Sequence, residues 1–463
     1  MPKLTHLFRD GSSKEDQLLH AVLKADIKRM HSLVARGADV NYKDKDGRTP
    51  LTRAAKLGYL HVTKVLLAYG ADVELADKDG WSPLHSASSY GYRNVVEVLP
   101  AHGAAVDGTH DQTPLLIASY KGHLDIVEEL LTHGADIELA SKNGLSPLHM
   151  ASRNGHLNVV KELLAHGAIV DVTNKARRND STPLHQASSR GHMDVVKELL
   201  AHGASINRAA NEGITSLLLA SLNGYLELVK ELLAQGAAIE ATTVGHTPLH
   251  EAAYHGKLNA VKELIAQGAS VNAKSKASDT ALHLASWGGH WNIVQELMTH
   301  GLSIHTPNKR GATPLHQAAS SVHVEVVQQL LAHGVQVDVA DQYGTTSLHD
   351  AARRERVDVV KELLAHGAFV NAWGDTPLHL ASKSDNAHKR PVVSLNDQLE
   401  VLQLLLDSGA KRLLRNKEGK TARDLANNDV QAWFDNYQEI AHQQLLKRIS
   451  NIPTRPLQVD QTV

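Results

Sequence analysis

The chain has 463 residues, and its 48 Lys and Arg residues are nearly balanced by 50 Asp and Glu residues, for a net charge of -2. This balance offers no general electrostatic attraction to nucleic acid or to an anionic membrane. The absence of cysteine excludes disulfides and thiolate chemistry. The sequence also contains no run of about 18 apolar residues, the length that a membrane-spanning helix needs. We therefore expect a cytoplasmic protein that binds other proteins.

The N-terminal residues predict a short leader followed by a capping element. Residues 1–12 contain no apolar core of signal-peptide length and are interpreted as the leader. Residues 13–45 contain a first helix pair rich in Lys, His and Arg. Because the end of a repeat array must hide one apolar face from water, we interpret residues 13–45 as a degenerate N-terminal capping repeat.

Residues 46–420 are dominated by a tetrapeptide related to Thr-Pro-Leu-His, which returns at a period of about 33 residues. Its copies begin at Thr49, Ser82, Thr113, Ser146, Thr182, Thr215, Thr247, Thr280, Thr313, Thr346 and Thr376. Repeats that contact only their neighbours stack into a quasi-linear array. Such arrays bind other molecules along their length and seldom catalyse reactions.

The repeat that begins at Ser146 predicts two helices and a turn. Ser146 suits a helix N-cap, and Pro147 suits the first helical position, where its missing N–H is harmless. Gly155 interrupts the helical pattern where a positive φ is needed, and Gly167 suits a left-handed cap after the second helix. Turn-rich strings such as Asp-Lys-Asp-Gly at 77–80 then predict a hairpin that leads to the next repeat.

The order Gly-x-Thr-Pro-Leu-His, Ala, Gly-His and Val-Val-x-x-Leu-Leu-x-x-Gly-Ala resembles the ankyrin repeat over roughly residues 13–450, about thirteen copies. The resemblance implies an all-α repeat solenoid, an ankyrin-type helix-turn-helix stack with projecting β-hairpin loops. It also implies a concave surface, formed by the hairpins and first helices, that binds proteins.

The C-terminal third departs from the regular spacing. Each earlier repeat from Thr49 onward reaches its closing Gly after 21 residues, whereas 33 residues separate Thr376 from Gly409. We interpret residues 384–395 as an exposed insertion between two helices. Residues 421–450 form a degenerate last repeat and an added helix, which either caps the array or binds a partner, and residues 451–463 form a flexible tail.

Aromatic and arginine side chains at variable positions are the best candidates for partner binding, because exposed Trp, Tyr and Arg are over-represented among interface anchors. We expect the residue before each Thr or Ser, and those seven and eight positions after it, to face the concave side. These positions and two hairpin tips supply Trp81, Tyr90, Tyr120, Arg153, Arg190, Tyr254, Trp287, Tyr343, Arg353 and Trp373. The alternative is that some of these rings only pack across adjacent hairpins.

No motif predicts catalysis, a metal or a cofactor. The tightest cluster among the 30 histidines is His246, His250 and His255, with no further ligand evidently positioned beside it. Gly419-Lys420-Thr421 imitates the end of a phosphate-binding loop, but the first Gly of that motif would fall at Leu414. An enzyme would need a domain outside the repeats, and too little of the chain remains for one.

We therefore interpret the chain as a non-enzymatic, monomeric scaffold or adaptor that binds one or more proteins through the concave ankyrin surface. Two alternatives stay open, a substrate-targeting adaptor of a separate modifying or degradative enzyme and a host-directed effector of an intracellular bacterium or virus. Protonation of all 30 histidines would add 30 charges to a net charge of -2. We therefore expect stability to fall as the pH drops through about 6.5.

Overall fold

A computed structural model describes the repeats and the connections between most of them. The described residues are 13–108, 111–174, 180–243, 245–372, 374–383 and 395–437. The predicted leader, nearly all of the predicted insertion and the predicted tail lie outside these ranges, as does the second half of the predicted C-terminal helix. Within the described ranges all regular elements are helices, and none is long and apolar enough to cross a membrane.

The described residues fall into two compact segments, an N-terminal segment that ends at Thr243 and a C-terminal segment that follows it. Helices α1 to α14 of the N-terminal segment are Lys14–Leu23, Ile27–Ala35, Pro50–Leu57, Leu60–Ala68, Pro83–Tyr90, Arg93–Ala101, Pro114–Lys121, Leu124–Thr132, Pro147–Asn154, Leu157–Ala165, Pro183–Ser188, Met193–Ala201, Ser216–Asn223 and Leu226–Ala234. Helices α15 to α24 of the C-terminal segment are Pro248–Tyr254, Leu258–Ala266, Ala281–Gly288, Trp291–Thr299, Pro314–Ala319, Val324–Ala332, Ser347–Arg353, Val357–Ala365, Pro377–Ser382 and Leu395–Asp407. Each repeat contributes one helix pair, so the predicted all-α stack of helix pairs is confirmed.

The repeat at Ser146 forms for the reasons predicted from its sequence. The Ser146 hydroxyl caps α9, and Pro147 is the first helical residue. Gly155 ends α9 in the left-handed region with φ 74°. A Cβ atom at this position would lie 2.6 Å from the Nδ1 atom of His192, so the site demands glycine for both its φ and its lack of a side chain.

Neighbouring repeats pack first helix on first helix and second helix on second helix. In the N-terminal segment α7 contacts α5 and α9, and α8 contacts α6 and α10. The interior between these layers is filled by aliphatic residues such as Leu148, Ala151, Val160 and Leu163, each at most 1% exposed. Because the second helices of this segment all have 9 residues and the repeats bury equivalent positions, one repeat buries the apolar face of the next.

The projecting loops are tight turns closed by a few hydrogen bonds. The Asp77 N–H donates to the Trp81 carbonyl over 3.0 Å, and the Gly80 N–H donates to the Asp77 carbonyl over 3.0 Å. The Lys78 N–H donates to the Asp46 carbonyl of the preceding loop over 3.1 Å. These two neighbouring loops are therefore linked to each other.

The last third contains the irregular repeats. Glu355 replaces the glycine between α21 and α22 and adopts φ 56°, a conformation that a non-glycine residue seldom takes. After a short 3₁₀ turn at Arg423–Leu425, residues 428–437 are helical. Phe434 in this helix is 4% exposed, and the Tyr437 hydroxyl donates to Asp407 of α24 over 3.1 Å. The described part of the C-terminal helix therefore packs against the preceding repeat.

Candidate binding surface

Buried histidines lie at the start of most first helices, and several of them join one repeat to the next within a segment. The His149 Nδ1 atom accepts from the Ser146 N–H over 3.2 Å, which completes a capping box. Its Nε2–H donates to the Ser181 carbonyl in the next repeat over 2.9 Å. His185, His250, His283, His316 and His379 make the same two kinds of bond.

These bonds require a neutral imidazole. Burial, opposed by the bond to the Ser181 carbonyl, lowers the pKa of His149 to about 4. Burial likewise lowers the pKa of His250 to about 4, and it lowers the pKa values of His185, His316 and His349. Both ring nitrogens of His149 and His250 are used in structural bonds, so these residues stabilise the fold and offer no free group for catalysis or metal binding.

A second row of rings fixes the ends of the first helices. The His156 ring lies over Gly122, where a Cβ atom would be 2.5 Å from its Nδ1, and its Nε2–H donates to the Tyr120 carbonyl over 2.9 Å. The His192 Nε2–H donates to the Arg153 carbonyl over 3.1 Å. In these repeats the ring at the start of the second helix therefore fixes the C-terminal end of the first helix in the preceding repeat. Candidate binding residues lie at that end.

The role of these rings was not predicted from the sequence. The signal that could have revealed it is the return of Gly-His at 122–123, 155–156, 191–192 and 289–290, with Tyr92 or Tyr225 as the equivalent ring in other repeats. When a ring follows a left-handed glycine in consecutive repeats, the pattern predicts that the ring of one repeat contacts the glycine of the preceding repeat.

In the N-terminal segment four of the five candidate residues are exposed at or near the ends of first helices. Tyr90 is 49% exposed and Tyr120 is 48% exposed, and both Arg153 and Arg190 are exposed. Trp81 differs, because it is half-buried with its ring centroid 6.5 Å from that of His85. The ring of Trp81 therefore lies beside the first helix of its own repeat, and its role in partner binding stays a prediction.

In the C-terminal segment the structure brings two candidates together. The rings of Tyr254 and Trp287 meet edge to face with centroids 6.3 Å apart, yet the residues are 39% and 43% exposed. Tyr343 lies apart on a turn, 71% exposed, with the Arg310 guanidinium 5.2 Å from its ring centroid. Arg353 pairs with Asp350 at 2.7 Å, and Trp373 lies outside the described residues.

The histidine cluster at 246–255 is organised around one carboxylate. The His246 Nδ1 atom lies 2.9 Å from Glu251, and this hydrogen bond raises the pKa of His246. The His255 Nε2 atom lies 3.7 Å from the other oxygen of Glu251. Across the described residues no group of three or more His, Asp or Glu side chains has an arrangement that could hold a metal ion.

Comparison with protein families gave six overlapping matches to a family model that describes three copies of the ankyrin repeat. They cover residues 18–110, 103–175, 168–243, 217–308, 282–373 and 315–411. A comparison with characterised proteins gave no significant match to the chain.

Proposed function

Because the chain belongs to the ankyrin repeat family, whose repeats are generally protein–protein interaction modules, we propose that it is a non-enzymatic scaffold or adaptor. The proposed contact surface in each segment consists of the C-terminal ends of the first helices and the adjoining turns, which the resemblance assigns to the concave side. We further propose that the chain acts as a monomer in the cytoplasm.

The observation that carries this proposal is the exposed aromatic pair in the C-terminal segment. Tyr254 and Trp287 stay 39% and 43% exposed although their rings touch. The Tyr254 carbonyl accepts from the His290 Nε2–H over 3.1 Å, so the backbone that carries this ring is fixed. Rigid aromatic side chains that lose little entropy on binding are favourable interface anchors.

The test compares capture of partner proteins by the full chain and by the Tyr254→Ala/Trp287→Ala variant. The control is Tyr69→Ala, because Tyr69 is 38% exposed at the end of a second helix. We expect the double variant to lose at least about tenfold in affinity for captured partners, since truncation of a central aromatic anchor costs about 2 kcal/mol or more. Equal affinity of wild type, double variant and control, with helicity intact, would remove this surface from the proposal.

The same experiment addresses the targeting alternative. A modifying or degradative enzyme recovered in stoichiometric amounts would favour a substrate-targeting adaptor over a simple scaffold. Turnover of a substrate by the purified chain alone would contradict the non-enzymatic assignment.

A further inference from the structure

We propose that the N-terminal segment binds an extended acidic peptide along a basic strip, which we define as Lys56, Tyr90, Tyr120, Lys121, Arg153 and Arg190. The inference rests on the proposed function and names the chemistry of the partner for one part of that surface. These residues occupy positions seven or eight after the repeat-initiating Thr or Ser in five consecutive repeats.

The positions of the first helices that carry the basic strip hold no acidic residue in the N-terminal segment. We considered the position before the initiating Thr or Ser and the positions four, seven and eight after it. In the six repeats from Thr49 to Thr215 none of these positions holds Asp or Glu. The same positions in the C-terminal segment hold Glu251, Asp279, Asp350 and Asp375. The excess of positive charge is therefore a property of the N-terminal segment and not of the repeat itself.

The cations of the basic strip lack carboxylate partners, unlike those of the second helices. Within the described residues none of the four forms an ion pair. Lys56 and Lys121 instead lie with their Nζ atoms 5.6 Å from the ring centroids of Tyr90 and Tyr120. On the second helices, by contrast, Lys161 meets Glu198 at 3.7 Å and Lys197 meets Glu231 at 3.3 Å. Carboxylates of a partner would supply what this face lacks.

The spacing of the basic strip fits an extended chain. Packed helices lie roughly 10 Å apart, so successive repeats present their cations at about that interval. A peptide in the extended polyproline II conformation advances about 3.1 Å per residue with three residues per turn, so every third side chain lies on the same face and meets the next repeat. The bonds from His156 to the Tyr120 carbonyl and from His192 to the Arg153 carbonyl hold this interval rigid. The expected ligand carries Asp or Glu at every third position and apolar groups that contact the tyrosines.

A peptide fits this geometry better than a nucleic acid does. A nucleic-acid strand presents phosphates about 3.4 Å apart in a duplex, so one row of cations at roughly 10 Å would leave most of them without a partner. The near-neutral charge of the whole chain also gives no long-range attraction to a polyanion. A peptide that presents one carboxylate to each repeat, in contrast, matches the spacing of the cations in the basic strip.

The test uses the full chain and three fluorescein-labelled probes in fluorescence anisotropy. The first probe is a 12-residue peptide with Asp at every third position and Leu and Ser between them. The second has the same composition with its four Asp residues consecutive, and the third is a 12-nucleotide oligothymidylate. The protein variants are Arg153→Glu/Arg190→Glu and, as a control of equal charge change, Lys28→Glu/Lys64→Glu, which alters two exposed lysines on second helices.

We expect the spaced peptide to bind at least about fivefold tighter than the clustered peptide. We also expect the arginine variant to lose at least about tenfold in affinity for the spaced peptide while the control retains it, and binding to weaken with added salt. Equal binding of both peptides, an arginine variant that binds as wild type does, or binding of the oligothymidylate alone would overturn the inference. Failure of the wild-type chain to bind either peptide, with retained capture of partners through Tyr254 and Trp287, would overturn it and leave the proposed function intact.

Discussion

Acidification is expected to weaken the repeat that contains His149 through one identifiable group. His149 accepts hydrogen bonds at Nδ1 in the folded state, so a proton on that atom would break the capping box. The folded-state pKa of about 4 lies below the ordinary value of 6.5, because the ring is buried. Folding therefore favours the neutral form, and the resulting stabilisation is present above about pH 6.5 and is lost as the pH falls toward 4.

The size of the effect follows from these two values. Between pH 7.5 and pH 5.5 the unfolded imidazole becomes protonated and the folded one does not, which removes about 1.3 kcal/mol of stability. His149 is a cleaner test than His250, which has the same pKa of about 4. His246 stacks on His250 with ring centroids 5.7 Å apart, and its pKa is raised by Glu251, so its contribution has the opposite sign. The titratable group that faces His149 is His185 of α11, whose own pKa is lowered by burial.

Amide hydrogen exchange, read by mass spectrometry on peptides that cover α9, is the assay. It reports the opening of one repeat, which is needed because long arrays unfold in stages. After correction for the intrinsic exchange rate, α9 should open about tenfold more often at pH 5.5 than at pH 7.5. Leu116 occupies the equivalent of the His149 position in α7 and is 1% exposed. His149→Leu therefore introduces a residue that another repeat of this chain already buries at that position.

His149→Leu should lower stability at pH 7.5 by about 1–2 kcal/mol, because the Ser146 N–H and the Ser181 carbonyl lose their partners. In this variant the further loss of stability between pH 7.5 and pH 5.5 should be absent, because the titrating imidazole is gone. Protection of α9 that is equal at both pH values in the wild type, or an unchanged pH response in the variant, would refute the assignment.

Three further tests use five substitutions at individual backbone and side-chain positions, measured by urea unfolding. Gly155→Ala should lower the free energy of unfolding by more than about 2 kcal/mol, because the added Cβ meets the imidazole of His192 in the next repeat. Gly167→Ala, with open space around the added Cβ, should lower it by about 1–2 kcal/mol. Equal losses would contradict the contact between Gly155 and His192. Glu355→Gly should stabilise by about 0.5–1 kcal/mol by relieving its φ of 56°, and a loss of stability would show that the Glu355 side chain matters more. The Ser221 hydroxyl donates to a carbonyl over 2.7 Å, so Ser221→Ala should lower the free energy of unfolding by about 1 kcal/mol. The Ser119 hydroxyl is buried without a partner in the described residues, so Ser119→Ala should leave stability unchanged. The reverse order would contradict these hydrogen-bond assignments.

Local signals made most of the fold predictable from the sequence. Ser146, Pro147, Gly155 and Gly167 each have a strong intrinsic preference for one position in a helix–turn–helix unit, and the structure confirms all four. Repetition amplified these signals, because one interpretation had to fit every copy.

Contacts between repeats were not predictable in the same way. The bond from the His149 Nε2–H to Ser181 joins residues 32 positions apart, and the sequence around His149 favours only its role near a helix start. The sequence therefore bases the pH prediction on the net charge of all 30 histidines, whereas the structure assigns a specific part of the effect to buried rings. Exposure was only partly predictable, since Trp81 and Tyr90 both satisfied the positional rule and only Tyr90 is exposed.

The central claim is that the ends of the first helices contact the partner. Hydrogen exchange of the full chain, measured alone and in complex with its captured partner, tests it most directly. The account predicts added protection at residues 89–90, 120–121 and 153–154 or at residues 254–255 and 287–288, with little change in the second helices. Protection confined to the second helices, or absent from all these residues in a saturated complex, would contradict it.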